Sequence, residues 1–220
     1  MGFRPAVFLV AFLVPTISNL DFASVDDRPS NCYVRCTNVS SDGSEAIREH
    51  NVQELRWLLF PHGIAVGSTN GSISRAAISQ AVAAWNVGIG IHILHPAKPS
   101  EIPDIQVEKV SKVDESDELQ GQIEIQRLDN GKLAATVAIS GVDSGKELSD
   151  TAVGAVLTHE IGHFLGLADA PDNAPVGTCV MGEFDADHLA LKPSGAEVRT
   201  VVQMRIKIRA AISKIASTSK

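Results

Sequence analysis

The chain has 220 residues, 44% of them hydrophobic and 20% charged, which is a globular composition and not a disordered one. With 19 Lys and Arg against 26 Asp and Glu, the formal charge is −7. That balance argues against non-specific nucleic-acid binding, which relies on cations neutralising phosphates. Three cysteines, Cys32, Cys36 and Cys179, cannot all pair within one chain, so no disulfide scaffold is expected.

Arg4 precedes a continuous apolar run from Ala6 to Val14, and small residues flank a cut after Ser18. This is the layout of a secretory signal peptide over residues 1–18, with an apolar run too short to span a bilayer. Residues 19–50 read as a flexible leader or short pro-segment, and residues 51–220 as one folded domain. The expected product is secreted (periplasmic in a Gram-negative host), has no membrane span once the signal is cut, and is of unknown oligomeric state. Export permits one disulfide, most simply Cys32–Cys36, with Cys179 free or competing.

Leu55 to Phe60 reads as a strand, and Ser72 as the cap of an amphipathic helix over residues 73–87, with Trp85 in the core. Ile89 to Leu94 and Ile102 to Val110 read as strands. The acidic run Asp114–Glu118 could bind Ca2+, but it lacks the spaced ligands and Gly of a calcium loop, so a solvated loop is the better reading. Ile123 and Ile125, then Leu133, Ala135, Val137 and Ile139, alternate about Asn130-Gly131, which predicts a hairpin. Ser149 or Asp150 caps the next helix, which stops at Gly166. A long amphipathic helix follows Pro193-Ser194-Gly195. Residues 191–220 carry seven basic residues against the single acid Glu197, read as a solvated helix face.

The chemistry lies in the run His159-Glu160-Ile161-Gly162-His163-Phe164-Leu165-Gly166-Leu167-Ala168-Asp169. Two His four apart lie on one helix face and can grip one metal ion, with Glu160 beside them as a base and not a ligand. A reversal at Gly166 would bring Asp169 to the His pair as a third ligand. Met181 follows in the Gly-flanked segment Val180-Met181-Gly182.

This run resembles the HExxHxxGxxH signature and Met-turn of the metzincin zinc endopeptidases. Asp169 stands where most of the clan has a third His, and snapalysin-type secreted members share that variation. The element order from residue 52 onward looks matrixin-like. The resemblance implies an α+β, metzincin-like (zincin) catalytic domain. Its parts are a mixed twisted sheet with an edge hairpin, two long helices before and at the active site, and a C-terminal helix. It implies one catalytic Zn2+ on His159, His163 and Asp169, Glu160 as general base, and Gly166 and Met181 as structural support. Gln122, Ile123 and Glu124 would line the cleft edge where a protein or peptide substrate pairs. Cys36 weakly resembles the cysteine of a matrixin pro-segment that plugs the zinc, and a disulfide is the competing reading. Tyr33 lies far from the Met-turn, so no tyrosine-assisted site is expected. Alternative readings are an inactive secreted zinc-binding module, a small-molecule hydrolase, or a gluzincin- or aspzincin-type peptidase with another third ligand, for which Glu183 and Glu197 are candidates.

Overall fold

The computed structural model describes residues 59–68, 70–113, 120–129, 132–170 and 174–218. Residues 1–58, with the signal, leader, Tyr33, Cys32 and Cys36 readings, lie outside it, as do the acidic run from Asp114 to Glu118 and the turn residues Asn130 and Gly131.

In chain order, β1 is Ile64–Gly67, α1 Arg75–Ile89, β2 Leu94–Pro96, β3 Ile105–Val110, β4 Gly121–Arg127 and β5 Leu133–Ser140. The small pair β6 (Val142–Asp143) and β7 (Lys146–Glu147) follows, then α2 (Asp150–Phe164) and α3 (Gly195–Thr218). The architecture is α+β. The five-stranded sheet has the order β2-β1-β3-β5-β4. It is mixed: β2, β1, β3 and β5 run parallel, and β4 pairs antiparallel with β5 as the edge strand. Both α1 and α2 pack against each other and against the sheet. No helix among the described residues is long and apolar enough to cross a membrane.

The hairpin forms as its alternation predicts. Ala135, Val137 and Ile139 are buried, and Ile123, Ile125 and Leu133 pack against the same core. Trp85 is fully buried, and its indole N–H donates to the Thr158 carbonyl at 2.8 Å, tying α1 to α2.

Five expectations change. The strand expected at Leu55–Phe60 is not one at Leu59 and Phe60, which lie in a turn, and residues 55–58 are outside the described set. The first strand is instead Ile64–Gly67, buried at every position. A central strand with both faces covered has no polar alternation to betray it. The cap of α1 is Ser74, not Ser72; its hydroxyl accepts the Ala77 N–H at 3.1 Å. Ile89 to Leu94 is not a strand, because α1 continues through Ile89 and closes on Gly90 at φ 75°. The buried Asn86 then accepts N–H groups of Ile93 and Leu94 and donates to the Leu94 carbonyl, steering the chain into β2. The strand expected from Ile102 begins at Ile105. The basic α3 face is not wholly solvated either. Arg205 is buried and donates to the Leu59 carbonyl at 2.9 Å; burial, then the nearby Arg209, pushes its pKa down.

Candidate metal centre

Ser149, not Asp150, caps α2, accepting the Ala152 N–H at 3.2 Å. At the other end Gly166 has φ 98°, a conformation that a side chain would strain. The Gly166 N–H donates to the His163 carbonyl at 2.9 Å, and the Leu167 N–H to the Gly162 carbonyl at 3.0 Å. Those two bonds are the Schellman pattern, which closes the helix and turns the chain back under it. A Cβ at Gly166 would also meet the Met204 thioether.

The reversal brings Asp169 to the two histidines. The Nε2 atoms of His159 and His163 are 3.1 Å apart, and Asp169 Oδ1 lies 3.2 Å from the first and 3.3 Å from the second. These residues could hold a metal ion. Tetrahedral ligands at zinc bond lengths stand about 3.3 Å apart, so the three donors already span one face of such a site. The other ring nitrogens strengthen the point. His159 Nδ1 is 2.7 Å from the Val180 carbonyl, and His163 Nδ1 is 2.9 Å from the Leu167 carbonyl. A carbonyl only accepts, so each Nδ1 carries the proton and each neutral ring turns a lone pair inward. Two lone pairs and a carboxylate then face one another, an arrangement that a cation relieves. Without a cation a proton must serve. Hydrogen bonds from His159, then His163, hold the Asp169 carboxyl below the usual range. Burial opposes charge on His163, but the bonds to Asp169 and the Leu167 carbonyl outweigh it, and its pKa is raised.

Glu160 is buried, with 3% of its surface exposed, and burial pushes its pKa up against the pull of both histidines. It borders the same cavity, of about 460 Å3, as His159 and Asp169. Gly121, the first residue of β4, leaves room for it. A Cβ there would stand 2.5 Å from Glu160 Oε1. Gln120 and Gly121 line the cavity; Gln122, Ile123 and Glu124 lie further along the same edge strand and do not line it.

Met181 is fully buried, with its sulfur against Gly162 of α2. Gly162 makes that packing feasible, since a Cβ there would lie 2.2 Å from the Met181 sulfur. The rival ligands fall away on geometry. Glu183 lines the cavity but is outside the donor group, and Glu197 is fully buried in hydrogen bonds of its own. His62 and His92 are surface residues, and His188 is exposed and paired with Asp185 at 3.0 Å.

Cys179 is not a spare thiol: it is disulfide-bonded, at the cavity wall. The Cys32–Cys36 bridge was the simplest pairing by sequence distance, but a disulfide is set by proximity in space. Gly121 and Gly162 are the site residues that sequence reasoning missed, and Glu197, a candidate ligand by sequence, instead accepts the Met181 and Ser194 N–H groups. Only Glu197 carries a local signal, as the fourth residue of Ser194-Gly195-Ala196-Glu197, an S-x-x-E capping box.

No family model and no curated protein matches the chain. Among solved structures it is similar to a chain described as "GM1 bound form of the ECX AB5 holotoxin", at 13% identity and a TM-score of 0.44, covering 71% of this chain and 90% of that one. A likeness this distant carries nothing about function.

Proposed function

We propose that this chain is a secreted zinc endopeptidase of the metzincin type, hydrolysing peptide bonds in protein or peptide substrates. The observation that carries it is the convergence of His159 Nε2, His163 Nε2 and Asp169 Oδ1 within 3.3 Å of one another. Neutral imidazoles and a carboxylate suit Zn2+, and three protein ligands leave one position open.

A zinc ion held there would polarise a peptide carbonyl and acidify water. Glu160 takes the proton from the attacking water at its carboxylate and passes it to the leaving amine. Its raised pKa brings it closer to neutral pH, where such transfer is most effective. His159 and His163 keep their Nδ1 protons on backbone carbonyls and so stay ligands rather than acids. The outer edge of β4 offers main-chain groups to an extended peptide. The disulfide at Cys179 supports export, because such bonds persist in oxidising compartments.

The test is cleavage of casein or a quenched-fluorescence peptide library by the purified protein, with Zn2+, with chelator, and as Glu160→Gln. Chelator-sensitive cleavage that falls about 100-fold or more in the variant is expected. Cleavage indifferent to both removes the reading.

A further inference from the structure

We propose that Glu197 is a positioning residue for the metal centre, acting on His159 through the peptide group between Val180 and Met181. The inference rests on the metal reading above.

Glu197 is completely buried. A buried carboxylate is costly unless its oxygens are hydrogen-bonded. Oε2 accepts the Ser194 N–H at 2.5 Å, while Ser194 Oγ accepts the Glu197 N–H at 3.3 Å. That reciprocal pair is a capping box at the start of α3, and it uses only one carboxylate oxygen. The second, Oε1, leaves its own helix and accepts the Met181 N–H at 2.8 Å.

That N–H belongs to the same peptide unit as the Val180 carbonyl, which accepts His159 Nδ1–H at 2.7 Å. One peptide plane is thus held at both ends, by a carboxylate on its N–H and by a ligand imidazole on its C=O. A carboxylate on the N–H polarises the amide and makes its carbonyl a stronger acceptor. A stronger acceptor at Nδ1–H raises the basicity of Nε2 and fixes the ring's orientation. The carbonyl of Met181, one peptide further on, accepts the Ala170 N–H at 2.6 Å, next to Asp169. A single side chain on α3 therefore restrains the approach of two of the three donors.

The test compares Glu197→Gln with Ser194→Ala in the full-length protein. Ser194→Ala weakens the capping box but leaves the Oε1–Met181 bond in place, so it reports helix capping alone. Zinc affinity is read by competition with a chromophoric chelator, and ligand geometry by the d–d absorption of the Co2+-substituted protein. Glu197→Gln is expected to weaken zinc about tenfold and to shift the Co2+ bands, the low end of what outer partners of metal ligands contribute. Ser194→Ala should change neither. Glu197→Gln and Ser194→Ala with equal zinc affinities and Co2+ spectra would overturn the proposal. Should Glu197→Gln fail to fold, the Met181 amide of the parent decides: slow hydrogen exchange supports the bond, and exchange as fast as an exposed loop overturns it. A parent that binds no zinc sinks the metal reading itself. A parent that binds zinc no better than Glu197→Gln sinks this inference alone.

Discussion

Residues 159–169 and residues 179–197 build the same centre by opposite means. In the first segment the decisive contacts are local: two imidazoles four residues apart, a glycine closing the helix, and a carboxylate six residues after the second His. In the second they are long-range: Val180 reaches back 21 residues to His159, and Glu197 reaches back 16 to Met181. The local segment supplies donor atoms. The distant one decides which nitrogen of His159 carries its proton and where that ring points. The difference teaches that which atoms could hold a metal and how those atoms are oriented are separate properties, encoded at separate distances along the chain.

The sharpest break in that division is the loss of a donor. Asp169→Ala should weaken zinc by more than the roughly 10–100-fold typical of outer partners, measured by chelator competition. Unchanged affinity would mean that Asp169 is not a ligand.

Next is a change that spares every donor but spoils their support. Gly162→Ala pushes a methyl into the Met181 sulfur and the Trp85 ring, and should destabilise the fold by about 1–3 kcal/mol in thermal or denaturant unfolding. A neutral result would show that the Met181 packing is loose.

The third prediction uses pH. In metal-free protein, His163 and Glu160 both have raised pKa values, so the folded state binds their protons more tightly than the unfolded state does. The stability each contributes is fully present below its unfolded pKa and is lost as pH rises through its folded one. Asp169, held low, acts in the opposite sense but only in the acid range. With chelator, Tm should therefore fall as pH rises from mildly acidic to mildly alkaline. With zinc the trend should reverse, because the metal needs deprotonated ligands. Identical profiles with and without zinc would contradict this.

The smallest effect belongs to the exposed pair beside the cavity. His188 holds the Asp185 carboxyl below its usual range, but both groups face solvent. Asp185→Asn should leave Tm and zinc affinity unchanged, as expected of exposed pairs. A clear drop in zinc affinity would give that rim a role in the centre.

The donor run and the hairpin were legible because their signals are short-range and periodic: four-residue spacing on a helix, two-residue alternation about Asn-Gly, and a glycine where φ must be positive. The readings that failed lacked such a signal. Ile64–Gly67 is apolar throughout, so nothing in it distinguishes a buried strand from a buried turn. α1 runs to Ile89, beyond the expected end at residue 87, and the role of Asn86 shows only when Ile93 and Leu94 fold back onto it. The sequence leaves Cys179 either free or competing for a bridge, and the fold decides for the bridge, since disulfides follow distance in space and not along the chain.

By itself, then, the sequence determined which atoms are available to a metal and on which local turns they ride, because helix pitch and glycine stereochemistry act within a few residues. The tertiary structure alone decided that Gly121 makes room for Glu160, that Gly162 makes room for Met181, and that a capping glutamate spends its second oxygen on the peptide behind His159. Those three depend on backbones distant in sequence meeting within van der Waals or hydrogen-bond range. No pattern within a single segment encodes such a meeting.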